Sequence, residues 1–244
     1  MEKGAPAATW SPWEAIGVYL LALVAAGLAA APIVAGRVAP ASSSGAGPVE
    51  IGASIVGDVV IFVALIAWLQ VRHPNWRAAV RFPARSNIVR ELGAGVAAGA
   101  ILYPVIAVGV GSVITIAFRA AFGNRIEAPR QLSSHLSGTG IVLALILALV
   151  VAPIGEELFF RGILFRSIRD RYGFWPAAVG SAVAFGLGHY VPSPWQDALL
   201  LQTLMVFTGV GLAYIYDRRG NLVADIASHA TFNMIGLVLI LRLG

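Results

Sequence analysis

The sequence predicts an all-α protein, a polytopic bundle of about seven transmembrane helices. Three observations carry that prediction. Of 244 residues, 58% are hydrophobic and only 12% are charged, whereas a soluble domain is roughly 25% charged. The mean hydropathy is +0.81. The apolar residues are also gathered into runs of about 20, the length that crosses a hydrocarbon core. This composition excludes a disordered chain, a coiled coil and a soluble enzyme. With no cysteine in the chain, disulfide scaffolds, thiolate metal sites and cysteine nucleophiles are excluded too.

The apolar runs place spans at residues 15–34, 51–71, 92–118, 140–165, 175–191, 198–216 and 222–241. The first is longer than the 7–15-residue apolar region of a signal peptide and is preceded by little positive charge, so it reads as a retained span. The second contains Asp58, read as a packing or cavity residue. The third and fourth exceed what a bilayer needs and should tilt, kink or protrude, with Pro104 the candidate kink. Residues 39–48, rich in Ser, Gly, Ala and Pro, read as a flexible external loop. Trp13, Trp68, Trp175, Trp195 and Tyr216 fall near span ends, where interfacial anchors belong. No internal repeat is visible. We divide the single membrane domain into a three-span region, 1–137, with a basic loop, and a helical core, 138–244.

Orientation follows from the basic residues. Lys3, Arg72, Arg77, Arg81, Arg85, Arg90, Arg161, Arg166, Arg169, Arg171, Arg218 and Arg219 fall on one side; Arg37, Arg119, Arg125, Arg130 and Arg242 fall on the other. The positive-inside rule puts the N-terminus in the cytoplasm and the C-terminus outside. The same arginines explain the net charge of +5, so no nucleic-acid partner is expected. Lipid is the expected partner surface, and the 72–90 loop would attract anionic headgroups.

Ionisable groups inside spans are costly, by roughly 2.5–3.5 kcal/mol each on insertion scales, so each needs a reason. The fourth span carries Glu156, Glu157 and Arg161 within an apolar run. Glu157 and Arg161 are four apart and in the favourable order for an ion pair, while Glu156 is rotated about 100° away. A charge cluster at a helix end is the plainer alternative. The fifth span holds His189, which could equally be a packed hydrogen-bonding residue. In the seventh, Asp225, His229 and Asn233 recur every four residues and form a stripe that cannot face lipid; packing against a neighbouring helix is the alternative there. Measured from Arg166 and Arg219 at 1.5 Å per residue, Glu156 and His229 both lie roughly 15 Å deep, and His189 about 21 Å from Trp175. Three spans could thus bring Glu, His, His and Asn to one layer on the cytoplasmic side.

Glu156-Glu157-x-x-x-Arg161, Phe185-x-x-x-His189 and His229-x-x-x-Asn233, in that order, resemble the motifs of the CPBP intramembrane proteases. These are the bacterial and archaeal relatives of the CAAX prenyl endopeptidases, also called the Abi family. The resemblance covers about residues 141–240, and Asp225 and Asp58 lie outside its pattern. It implies an intramembrane endopeptidase of the glutamic type, whose peptide bond is hydrolysed near the cytoplasmic side by an activated water. Carried over by motif, Glu156 would be the general base and His189 would orient the water. His229 and Asn233 would stabilise the oxyanion, with Glu157 and Arg161 as an orienting pair. A carboxylate removed from water is a stronger base, and paired donors matter most in a dry site. Water must reach this layer, which calls for a cavity open to the cytoplasm.

Metal chemistry competes. Glu156, His189 and His229 are competent zinc ligands, and three protein ligands plus water make a catalytic zinc arrangement. The compact His-Glu-x-x-His motif is missing, and a Glu/His base with an oxyanion pair uses every residue without metal, so no cofactor is favoured and Zn2+ is the alternative. Asp225 tempers that preference, because it could orient His229 from behind. Two other classes remain: a membrane adaptor or bacteriocin-immunity protein without cleavage, and a proton-coupled transporter, which would show related halves with broken helices. The expected substrate is a peptide or a C-terminal protein segment, and the expected location is the bacterial inner membrane.

Overall fold

The computed structural model describes residues 6–36, 45–83, 87–123 and 125–243. Lys3, Arg37, Arg85 and residues 39–44 of the predicted external loop lie outside the described residues. Among those described, all regular structure is helical, and a lone β-bridge, Ala46 to Leu132, joins two loops. The helices are α1 (Pro12–Val34), α2 (Pro48–Arg72), α3 (Ile88–Phe122), α4 (Thr139–Tyr172), α5 (Phe174–Gly188), α6 (Trp195–Arg219) and α7 (Leu222–Leu243), with a short turn at Trp76–Ala79. Six are long and apolar enough to cross a membrane. The chain is an integral, multi-pass membrane protein.

The fifth predicted span is shorter than expected. α5 has 15 residues, or about 22 Å at 1.5 Å per residue, against a hydrocarbon core of about 30 Å. Gly188 ends it, and Pro192 and Pro194 soon after cannot continue a helix. His189 therefore sits just past the last turn rather than inside a span, its N–H bonded to the Gly186 carbonyl at 3.1 Å.

Both overlong spans carry wide π-type turns beside a proline. In α3 these turns run over Pro104–Val110, at the predicted kink. In α4 they occupy Leu147–Val151 and Leu158–Phe165, on either side of the segment Ala152–Glu157. Pro104 and Pro153 have no N–H to give the carbonyl four residues back, which releases the regular ladder locally. The two glutamates thus stand on a short regular segment between widened turns.

α4 is the hub, packed against α1, α2, α5 and α7. α3 lies along α7, and the approach is close because Gly95 and Gly99 face the Ala224 and Ser228 carbonyls; a Cβ at either glycine would overlap that backbone. Gly99→Leu is accordingly expected to cost at least the roughly 1–3 kcal/mol typical of overpacking, read as a lower Tm in detergent. Gly93→Leu, where a Cβ meets open space, is the matched control and should leave the Tm unchanged.

The two ends of the bundle differ. At the arginine-rich end, Trp10, Leu65, Leu69, Phe159, Phe165 and Tyr216 form a packed aromatic and aliphatic core. Trp10 donates to the Ile163 carbonyl at 3.0 Å and Tyr216 to that of Val80 at 3.0 Å. Tyr216 is fully buried and Trp68 packs edge-on against Trp10. Tyr216 is therefore a core residue and not an interfacial anchor, whereas Trp13, Trp175 and Trp195 are exposed as such anchors should be. Arg219, Asn221 and Arg90 converge on buried Glu91, and Arg166 donates to the Ala79 and Pro6 carbonyls. The opposite half encloses a chamber of about 590 Å³.

Candidate active site

Glu156 and Glu157 are neighbours on α4 and point to different surroundings, as their 100° offset requires. Glu157 is fully buried. Its Oε1 accepts from Arg161 Nη1 at 2.9 Å and from His229 Nδ1 at 2.7 Å. Arg161, also fully buried, spends a second N–H on the Gly209 carbonyl of α6 at 3.1 Å. Its guanidinium lies 4.6 Å from the centroid of the Phe185 ring, close enough for cation–π attraction. The predicted i, i+4 pair is thus present and ties α4, α5, α6 and α7 together. It is an interior clamp and not a helix-end charge cluster.

Glu156 faces the cavity, with 24% of its side chain exposed there. Its Oε2 makes no hydrogen bond with the protein and stands 3.9 Å from His189 Nε2 and 3.8 Å from His229 Nε2. The other nitrogen of each ring is already engaged. His189 Nδ1 lies 2.8 Å from the Phe185 carbonyl, which can only accept, so Nδ1 carries the proton and Nε2 is bare in the neutral ring. His229 Nδ1 donates to the Glu157 carboxylate in the same way. Two imidazoles of fixed orientation therefore present their Nε2 atoms to one carboxylate oxygen.

Asn233, one turn beyond His229, lines the same chamber and donates through Nδ2 to the Ala148 carbonyl at 3.0 Å. That leaves its second N–H free. Asp225 is fully buried one turn before His229, and neither of its oxygens has a partner; Glu157 Oε2 is likewise unpartnered. Two buried carboxyl groups placed side by side are satisfied together when they share one proton.

Glu156, His189, His229 and Asn233 are thus brought to one chamber, and the supporting residues lie behind them. Glu156 lies halfway along α4. The chamber extends away from the arginine-rich end, toward Gln131, Leu132 and Ile240. Asp58, read from the sequence as a packing or cavity residue, does line a cavity, whereas Tyr19 was not singled out in the sequence. With Glu156 and His189 they line a second cavity of about 140 Å³ between α1, α2 and α4. The signal for Asp58 was its charge within a span, and for Tyr19 only a hydroxyl in an apolar run. Phe185 contributes a ring 4.4 Å from that of His189 and 5.8 Å from that of His229.

Residues 138–235 match the family model described as type II CAAX prenyl endopeptidase Rce1-like. The match covers 98 of the 244 residues. A stretch of the chain is 33% identical over 93 residues to the "Putative membrane peptidase YdiL" of Bacillus subtilis (strain 168), which is 38% of this chain and 35% of that protein. Another is 29% identical over 100 residues to an "Uncharacterized 24.3 kDa protein" of Escherichia coli, 40% of this chain and 44% of that protein. The chain thus matches less than half the length of either relative. No solved structure matches it. The matched stretch contains Glu156, Glu157, Arg161, His189, Asp225, His229 and Asn233, while Tyr19 and Asp58 come from helices outside it.

Proposed function

We propose that the chain is an intramembrane endopeptidase of the glutamic type. What carries the reading is the unpartnered Glu156 oxygen set between two oriented imidazoles at the floor of a large chamber. Separations of 3.8 and 3.9 Å are too long for direct hydrogen bonds and short enough for one water to bridge. Glu156 takes a proton from that water while His189 Nε2 accepts its other hydrogen. The oxygen attacks the scissile carbonyl carbon, and the C–N bond breaks as Glu156 returns its proton to the leaving nitrogen. The free N–H of Asn233 and Nε2–H of His229 serve the developing oxyanion. For His229 to donate there, its ring must be protonated at both nitrogens, and the Glu157 carboxylate at Nδ1 stabilises that imidazolium. The membrane-peptidase name of the Bacillus relative and the family match agree with this reading.

The reaction needs no metal in this proposal. Zinc bonds of 2.0–2.2 Å at tetrahedral angles hold ligand atoms about 3.4 Å apart, closer than the Glu156–imidazole separations. Among the described residues, no three His, Asp or Glu side chains are grouped to hold a metal ion. The substrate is a peptide or C-terminal protein segment, and the site works in a bacterial inner membrane. The test is cleavage of a quenched fluorescent peptide library by purified protein, with and without 1,10-phenanthroline. Chelator-resistant activity that disappears in His229→Ala is expected. Activity abolished by chelator and restored by zinc would replace the metal-free mechanism, and substrate-independent silence across the library would favour the adaptor role.

A further inference from the structure

Glu156 and His189 border two cavities, and from this we infer that the smaller one supplies the water for hydrolysis while the larger one takes the peptide. The inference rests on the endopeptidase reading in that it takes Glu156 as the base. The large chamber is walled by Ile106, Leu147, Phe232 and Leu237 as well as by the reacting groups. An apolar peptide seated there buries itself against those walls and drives water out. Hydrolysis consumes one water for each bond cut, so a filled chamber needs a supply from elsewhere.

The cavity of about 140 Å³ is placed to give it. Asp58, Glu156, Gly188 and His189 line both spaces, whereas Tyr19, Leu23, Ile61, Gly155 and Phe160 line the small one alone. At roughly 30 Å³ per water there is room for several. Among the described residues no hydrogen bond or ion pair engages Asp58. A carboxyl group inside a span needs partners, and water in this cavity supplies them. The Tyr19 ring is stacked on Phe159 at 3.7 Å and set edge-on to Phe160, which holds it at the same wall. Gly155 is buried, yet a Cβ built on it would meet nothing within 4 Å, so the α4 backbone borders the space directly. Asp58 and Tyr19 are thus positioning residues, which hold waters beside the bridge between Glu156 and the imidazoles. The reaction itself is unchanged. The water oxygen bonds to the carbonyl carbon, one proton goes to Glu156 and on to the leaving nitrogen, and the other stays on the new carboxyl group.

The test compares kcat on a long apolar peptide, which fills the chamber, with kcat on a short one cut at the same bond, which leaves the chamber wet. Asp58→Leu removes the water-holding group, and Gly155→Leu fills the small cavity from α4. For both, the long-to-short ratio of kcat is expected to fall by about tenfold or more, the order of loss when a reactant is held out of place. KM for the long peptide should change little, and Asp58→Asn, which keeps a hydrogen-bonding head, should restore most of the ratio. Equal losses on both peptides, or no loss, would overturn the inference, because damage to Glu156 itself does not depend on peptide length. Hydroxyl-radical footprinting gives a readout that needs no cleavage. Tyr19 and Phe160 are expected to be oxidised by the neighbouring waters in the wild-type protein and protected in Gly155→Leu. An unmodified Tyr19 in the wild type would overturn the inference. Oxidation of Tyr19 in a protein that cleaves no peptide would instead remove the endopeptidase reading and leave the water site standing.

Discussion

Glu156→Gln lowers the rate of peptide cleavage by about 10²- to 10⁴-fold, the range expected when a positioned general base is lost, and leaves the fold intact. The substitution keeps the shape of the side chain and removes only its capacity to take a proton. Folding should tolerate it well, because Oε2 makes no hydrogen bond with the protein and the side chain already faces the cavity. The measurement is kcat/KM on a cleaved library peptide beside the Tm of each protein in the same detergent. The loss should appear in kcat with KM little changed, since Glu156 acts in the transition state more than in binding. An unchanged rate in a well-folded Glu156→Gln protein would remove Glu156 from the reaction. The pairing of observables matters here, because a residue at the hub of the bundle could also lose activity by loss of fold.

Much of this arrangement was legible in the sequence, and the reasons differ from residue to residue. The Glu157–Arg161 pair could be read because spacing along a helix is local geometry, and i, i+4 neighbours still meet where the turns widen. The stripe of Asp225, His229 and Asn233 could be read because a polar face inside a membrane has nowhere to go but inward. His189 was found, but its place past the end of α5 was not, since the glycines and prolines after it set the boundary more sharply than hydropathy does. Orientation of the rings was not legible at all. That Glu157 would hold Nδ1 of His229, and the Phe185 carbonyl Nδ1 of His189, depends on how α5 and α7 dock on α4. Tyr19 entered the site from a helix that read only as a generic apolar span, whereas Asp58 stood out by its charge and lines a cavity as expected.

The Glu157–Arg161 clamp should show its worth by how its halves fail separately. Both side chains are fully buried, and removing one partner strands the other charge away from water, a loss of about 3–5 kcal/mol in comparable buried pairs. Arg161→Met is expected to be the more damaging variant. It releases Glu157 and the Gly209 carbonyl together, and Glu157 is left beside the buried, unpartnered Asp225. Glu157→Gln strands the guanidinium and also takes the carboxylate from His229 Nδ1. The double variant, with neither charge, should recover much of the stability, because replacing a whole buried pair by groups of similar volume is often neutral. It should not recover cleavage, since His229 would still lack the carboxylate that orients its ring and stabilises its cationic form. The measurement is a double-mutant cycle read twice, once as Tm in detergent and once as kcat/KM. A double variant as active as the wild type would make the pair a packing device only. Stability restored without activity separates the two roles of Glu157, holding α4 to its neighbours and aiming His229 at the reacting centre.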